Sequence, residues 1–342
     1  MTPILGIMAS QISGHLIIPT YLGVAAENSP RVAVYPWSAG FGTKYADPGQ
    51  TVGSGSGKSV AWNYNSTSIA IATTGSTYVN AYPWSSAGFG TRYTDSGDLP
   101  GAAAHGVTFN AAGDVISFAH ASAYQLKTYE FSGSGFGGYY GDPSPAPTAT
   151  ARSVAFNPAG TAIAAAHTSS PYITTYPWSA GYGTKYANPA TLPTGIGYGV
   201  TFNPAGTAIA VAHATSPYIS TYPWSAGFGT KYANPATLPA GAGYGVSFTA
   251  AGTTIAVACD TTPYVFAYPW SAGFGTKYAN PATLPAGIGQ SINFGASDSA
   301  VAVGHYTSPY ISVYPWSAGF GTKYSDPATL PAGIAYGVAF NN

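Results

Sequence analysis

The chain has 342 residues, of which only 6% are Asp, Glu, Lys or Arg, and its formal net charge at pH 7 is zero. A typical soluble domain has about 25% charged residues. So few basic residues argue against a nucleic-acid partner, which requires clustered Lys and Arg, and against recruitment to an anionic membrane surface. No apolar run reaches the roughly 18 residues of a membrane-spanning helix, so we expect no membrane insertion. The single cysteine, Cys259, excludes an internal disulfide framework.

Residues 1–21 precede the repeated part of the chain and are predicted to form an N-terminal arm. They contain no Lys or Arg, so a secretory signal peptide is not expected. An uncharged arm rich in Ile and Leu would gain by burial against a partner, although it could also be frayed or lie along the domain as a strand. The stretch Ile4–Gly14 (ILGIMASQISG) resembles the N-termini of tailed-bacteriophage virion proteins. This resemblance implies docking onto other virion proteins.

A ten-residue phrase, PWSAGFGTKY at positions 36–45, returns along the chain either intact or edited. The following aromatic residues occupy its second position, 46 or 47 residues apart: Trp37, Trp84, Phe131, Trp178, Trp224, Trp270 and Trp316. A period of this length is typical of propellers and solenoids. We therefore predict a single repeat domain over residues 22–342.

Each repeat is predicted to contain four short strands, as in the unit at 198–243. Residues 198–203 are rich in β-branched and aromatic types, 208–213 are small and apolar, and 218–224 end beside a proline. A short fourth strand is predicted at 227–232. Seven such units predict an all-β fold: a seven-bladed β-propeller with four antiparallel strands per blade.

The two ends of the repeated region predict how the ring closes. Residues 336–341 form an inner strand with no blade after it, and residue 22 begins a second strand with no inner strand before it. We expect the C-terminal inner strand to join the N-terminal blade and close the ring, which removes exposed sheet edges.

The phrase Phe-Asn-Pro-Ala-Gly at 202–206 and at 156–160, followed by a small apolar strand, resembles the core of WD40-type propeller repeats. The resemblance implies a propeller fold over nearly the whole chain. Ser, not Asp, follows each repeated Trp, so the WD40 hydrogen-bonded tetrad is not expected and WD40 partners are not carried over.

Two sets of residues are expected on one face of the propeller. The first set begins the inner strands: Lys58, His105, Arg152, Tyr198, Tyr244, Gln290 and Tyr336. The second set ends the second strands: Ala26, Thr73, His120, His167, His213, Cys259 and His305. We predict that the first set, with the four histidines of the second, forms a binding surface, because Tyr offers contact area and Lys58 and Arg152 could hold a carboxylate. The alternatives are a solvated channel mouth and histidines that each repeat one local contact.

No catalytic or metal-binding group is apparent in the sequence. Equivalent atoms of adjacent blades are expected to lie too far apart for one zinc ion. The acidic residues are dispersed, and Asp47, Asp142 and Asp326 precede Pro in turns. No Gly-x-Ser-x-Gly motif occurs. We therefore predict no metal, no cofactor and no enzymatic activity.

The leading hypothesis is a non-enzymatic structural or adhesive protein of a tailed-phage particle, located in the virion. It would be anchored through residues 1–21 and present the loop face to a host-surface glycan or protein. A free carbohydrate-binding propeller lectin is the alternative, and an enzyme of the lactonase type is the third hypothesis.

Overall fold

The computed structural model describes residues 20–50, 52–95 and 97–341, and the fold is all-β and propeller-like. Strands form where small, β-branched and aromatic residues succeed one another, and they end at turns rich in Gly, Pro, Asn and Ser. Of the predicted arm, residues 1–19 lie outside the described residues, whereas residues 20 and 21 belong to the first strand. Across the described ranges, no helix is long and apolar enough to cross a membrane.

Within residues 20–50, 52–95 and 97–341, twenty-three strands are arranged in seven separate sheets. Sheet 1 contains β1 (Thr20–Ala26), β2 (Val32–Trp37) and β23 (Ala335–Phe340); sheet 2 contains β3 (Gly57–Trp62), β4 (Ser68–Thr73), β5 (Val79–Ser85) and β6 (Gly88–Phe89). Sheet 3 contains β7 (Ala104–Phe109), β8 (Val115–His120), β9 (Leu126–Ser132) and β10 (Gly135–Tyr139). Sheet 4 contains β11 (Ala151–Phe156), β12 (Ala162–His167) and β13 (Ile173–Pro177); sheet 5 contains β14 (Gly197–Phe202), β15 (Ala208–His213) and β16 (Ile219–Pro223). Sheet 6 contains β17 (Gly243–Phe248), β18 (Thr254–Cys259) and β19 (Val265–Pro269); sheet 7 contains β20 (Gly289–Phe294), β21 (Ala300–His305) and β22 (Ile311–Pro315).

The prediction of a closed ring of seven four-stranded blades is wrong. In the part of the chain that the structure describes, five of the seven sheets have three strands. The fourth strand is reduced there to one isolated bridge, as between Trp224 and Phe228. The structure is therefore a propeller-like set of seven small sheets, of which sheets 2 and 3 alone have four strands.

Loop length explains which sheets have a fourth strand. In sheet 2 the pair Ser85 and Gly88 closes a hairpin around two residues, and Ser132 and Gly135 do the same in sheet 3. Two-residue turns suit the twist of paired strands. In the other five sheets the phrase is one residue shorter between its two aromatic rings, which leaves room for a single bridge.

The strand at the C-terminal end of the described chain pairs with the first strand. β23 runs antiparallel to β1, with Phe340 opposite Leu22 and Val338 opposite Val24. All four side chains belong to one buried apolar cluster. Sheet 1 is thus assembled from both ends of the described region.

The repeated phrase packs neighbouring sheets together. Trp224 of sheet 5 makes an edge-to-face contact with Phe228 of its own sheet, with ring centroids 5.3 Å apart. It makes a second such contact, also at 5.3 Å, with Tyr186 from the end of the preceding repeat. Contacts of this kind contribute about 0.5–1.5 kcal/mol beyond the burial of area. The aromatic residues of the repeated phrase therefore form contacts between neighbouring sheets.

Candidate functional site

One strand from each sheet lines a central cavity of about 340 Å³. These cavity strands are β3, β7, β11, β14, β17, β20 and β23. Each contributes one polar or aromatic side chain: Lys58, His105, Arg152, Tyr198, Tyr244, Gln290 and Tyr336. The structure thus brings together the first set of residues predicted from the sequence.

One side of the cavity is cationic. Lys58, His105 and Arg152 lie on β3, β7 and β11, and Nη1 of Arg152 is 3.5 Å from Nδ1 of His105. The buried Nε of Arg152 has no hydrogen-bond partner among the described residues. The lining includes no Asp or Glu, and the carboxylate that acts on Lys58 is Glu27, which follows β1. Such a wall favours an anionic ligand.

The protonation of this wall is set by burial. Burial, with the nearby charge of Arg152, lowers the pKa of Lys58 to about 8, and Glu27 opposes the shift. Burial, with the charges of Arg152 and Lys58, lowers the pKa of His105 to about 4. His105 is therefore neutral at pH 7. Because Arg152 can only donate, Nδ1 of His105 accepts in this contact, and Nε2 then carries the proton.

The opposite side of the cavity is aromatic. The rings of Tyr198 and Tyr244 lie 4.7 Å apart at an interplanar angle of 40°. Nζ of Lys58 is 3.1 Å from the ring centroid of Tyr336, a cation–π contact that holds the ammonium in place. Burial raises the pKa of Tyr244 and of Tyr336, so their hydroxyls stay protonated. These hydroxyls and the ring faces can bind a hydroxyl-rich ligand.

The cavity narrows to a layer of small residues below the tyrosines. Oγ of Ser153 accepts a hydrogen bond from the backbone N–H of Val200, at 3.3 Å, and Oγ of Ser291 accepts one from Val338, at 3.1 Å. A Cβ on Gly245 would lie 2.9 Å from Cα of Ser291, so only glycine allows these strands to approach. Sequence reasoning missed this layer. Its signal is the Ser or Gly that follows each cavity side chain.

The four predicted histidines of the second set do not line the cavity. His120, His167, His213 and His305 are fully buried at the ends of second strands. Nε2 of His213 lies 3.0 Å from Oγ of Ser220, and Nε2 of His167 lies 2.9 Å from Oγ1 of Thr174. Second strands are covered on both faces, so their terminal side chains turn into the sheet stack. This corrects the prediction that these histidines share the binding surface. His167, His213 and His305 repeat one local contact through Nε2, whereas His120 contacts Oγ of Ser122 through Nδ1.

Within the described ranges, no group of three or more His, Cys, Asp or Glu side chains could hold a metal ion. Cys259 takes the place of a histidine at the end of β18 and is buried. Burial raises the pKa of its thiol to about 11, which keeps the sulfur protonated.

The chain is similar to known proteins in its three-dimensional structure. No protein-family profile matches the chain, and no curated protein matches it. A periplasmic gluconolactonase of Pseudomonas aeruginosa is similar with a TM-score of 0.66 and 13% identity, covering 94% of this chain and 99% of that one. A Bacteroides fragilis protein named provisionally as a 6-phosphogluconolactonase gives a TM-score of 0.71 and 11% identity, covering 95% and 98%. The β-propeller domain of a Myceliophteria thermophila protein gives 0.60 and 11%, covering 80% and 88%. At these identities the likeness concerns the fold.

These likenesses overturn the functional prediction. The similar structures include proteins named as a gluconolactonase and, provisionally, as 6-phosphogluconolactonases, and none of these three is named as a phage protein. The prediction of a non-enzymatic structural protein of a virion, with a free lectin as the alternative, is therefore wrong. The likenesses support an all-β, propeller-like fold, and they do not restore the closed ring of seven four-stranded blades, because five of the seven sheets in the described ranges have three strands. The contact of residues 1–21 with a partner stays a prediction.

Proposed function

We propose that this protein is a hydrolase of the lactonase kind that opens an anionic sugar lactone in the central cavity. The observation that carries the proposal is the wall formed by the basic side chains Lys58 and Arg152 with neutral His105, in a lining that contains no carboxylate. The names of the similar structures, gluconolactonase and 6-phosphogluconolactonase, supply the class of reaction.

Each residue of the wall has a distinct role. Arg152 stays charged and offers a planar fork of donors, so it binds the carboxylate or phosphate of the substrate. His105, neutral and protonated on Nε2, donates a hydrogen bond to the lactone carbonyl oxygen as negative charge develops there. Lys58, in its neutral form, accepts a proton from the attacking water. Tyr198 and Tyr244 support the sugar ring opposite.

The reaction balances with water as the sole co-reactant. The water oxygen bonds to the carbonyl carbon while Lys58 takes its proton. The C–O bond of the ring then breaks, and the leaving oxygen takes back the proton from the Lys58 ammonium to become a hydroxyl. The product is a hydroxy acid, whose carboxyl group ionises in neutral solution.

The test is the rate of ring opening of 6-phosphogluconolactone, whose phosphate Arg152 would bind, above its spontaneous hydrolysis. Gluconolactone, which is uncharged, is the comparison substrate. Because Lys58 must be neutral and its pKa is about 8, kcat/KM is expected to rise with pH and level off above about pH 8. Lys58→Met should lower kcat by about 100-fold or more, the usual contribution of a general base. Arg152→Met should raise the KM for 6-phosphogluconolactone roughly tenfold, because one charged hydrogen bond to the phosphate is lost.

Lys127→Met is the matched control, because Lys127 also lies over a tyrosine ring but is paired with Asp98 and Asp142 outside the cavity. The rate of lactone hydrolysis by the Lys127→Met variant should equal that of the unaltered protein. A folded protein that leaves both lactones at their spontaneous rates across the neutral and mildly alkaline range would refute the proposal.

A further inference from the structure

Lys58 differs from the other lysines of the chain in its partners. Six lysines have a side-chain oxygen partner from Asp or Asn: Lys44, Lys127, Lys185, Lys231, Lys277 and Lys323. For Lys58 the contact found is the Tyr336 ring, at 3.1 Å. Its amine is thus held at one point of the cavity wall, with no hydrogen-bonded oxygen partner in the part of the chain that the structure describes.

The groups around Lys58 come from four different elements. Arg152 on β11 and neutral His105 on β7 share its wall, Tyr336 on β23 lies beneath it, and Glu27 follows β1. Burial and Arg152 favour the neutral amine, whereas the Tyr336 ring and Glu27 favour the ammonium ion. A desolvated lysine beside a second cation is a recurring design for a nucleophilic amine.

We infer that Lys58 is a nucleophilic lysine that condenses with a small anionic aldehyde or 2-keto acid held by Arg152. The Nζ lone pair attacks the carbonyl carbon and forms a C–N bond. The carbonyl oxygen leaves as water with the two amine protons, and a C=N double bond remains. The imine reverts when water adds to it. No oxidant or reductant takes part.

This inference shares Lys58 with the proposed lactone hydrolysis but does not depend on that reaction. Hydrolysis uses the amine as a base toward water, whereas condensation uses it as a nucleophile toward carbon. Covalent trapping is measured without any lactone present. Either activity can therefore be absent while the other is found.

The experiment uses the full chain with glyoxylate, the probe for an anionic aldehyde, and sodium cyanoborohydride. The reagent delivers hydride to the imine carbon, solvent supplies the proton to nitrogen, and the product is N-carboxymethyl-lysine. Peptide mass spectrometry then gives the labelling rate of each lysine. Lys127 is the internal control, because its Nζ lies 3.9 Å from the Tyr139 ring centroid and is ion-paired. Near neutral pH, Lys58 should be labelled at least about tenfold faster than Lys127.

A variant separates anion binding from intrinsic reactivity. Arg152→Met should slow labelling of Lys58 by glyoxylate more than labelling by formaldehyde, a neutral probe. Labelling of Lys127 should stay the same, which shows that the variant is folded. The inference is overturned if Lys58 reacts no faster than Lys127, or if Arg152→Met slows both aldehydes equally.

Discussion

The hydroxyl of Tyr182 adds a hydrogen bond to the contact between sheets 3 and 4. Tyr182 stands where most copies of the phrase have Phe, and its hydroxyl lies 2.5 Å from Oγ1 of Thr128 on sheet 3. Oγ1 of Thr128 lies 2.7 Å from Oγ of Ser117. The position of Ser117 is Ala in five of the other sheets and Gly23 in sheet 1. Tyr182 and Ser117 therefore match across one interface, where a buried hydroxyl would otherwise lack a partner.

Two equivalent threonines have no such partner. Thr175 and Thr221 occupy the position of Thr128, and the buried Oγ1 of each has no hydrogen-bond partner among the described residues. Phe228 and Phe274 stand where Tyr182 stands in its sheet. We expect Phe228→Tyr to stabilise the protein by about 1 kcal/mol, because the new hydroxyl reaches Thr175. Chemical denaturation monitored by tryptophan fluorescence measures the change.

The matched control is Phe41→Tyr. Phe41 packs in the cluster that contains Val313, the residue equivalent to Thr128 in sheet 7. A hydroxyl placed there finds no polar partner, so this variant should lose stability, by about 1–3 kcal/mol. If Phe228→Tyr and Phe41→Tyr change the free energy of unfolding equally, a hydrogen bond to Thr175 does not explain the effect of Phe228→Tyr.

At the scale of the element, the second strand of sheets 2 to 7 is buried along its whole length. In β12, β15 and β21 every residue is buried, and each strand ends in a histidine. Burial lowers the pKa of His167, His213 and His305 to about 4. These histidines are therefore neutral in the folded protein and become charged only when it unfolds or in strong acid.

Because these histidines are buried and neutral, we expect the folded protein to lose stability in acid. Between pH 6.5 and about 4 the unfolded chain binds protons on His213 that the folded chain does not, so the free energy of unfolding falls as the pH is lowered. One histidine contributes up to about 1.4 kcal/mol per pH unit. His213→Thr, which copies Thr73 at the equivalent position of sheet 2, should flatten this slope. Urea unfolding at several pH values measures it, and an unchanged slope would contradict the prediction.

The length of the loop between the third and fourth strands can be read from the sequence. Trp84 and Phe89 are five residues apart, as are Phe131 and Phe136, whereas Trp224 and Phe228 are four apart. The longer spacing allows a two-residue hairpin and hence a fourth strand. The prediction of a fourth strand in every unit is wrong because, at the four-residue spacing, strand-like composition alone forms one isolated bridge and no hairpin.

For the whole molecule, sheet 1 joins distant parts of the chain. β23 covers the edge of β1, and Val338 and Phe340 fill the cluster around Leu22. Removing residues 335–342 should expose that edge and open the cluster, because unpaired N–H and C=O groups recruit other strands. Size-exclusion chromatography should show aggregates in place of the monomer.

A peptide spanning residues 333–342, added during refolding, serves as the control. It should restore the monomer if the missing strand is the cause. A truncated chain that stays monomeric and melts like the full one would contradict this role of β23.

The sequence by itself determined the number of units, the all-β class and the seven residues that face the cavity. A fixed period places equivalent residues at equivalent positions, so Lys58, Arg152 and Tyr336 could be grouped although they lie far apart in the chain. Only the tertiary structure decided the strand count of each sheet and separated the cavity side chains from the buried histidines. The reason is that periodicity reports which residues are equivalent, whereas the way a side chain points depends on the sheets packed against it. The cationic wall, and the chemistry proposed for it, follow from that packing.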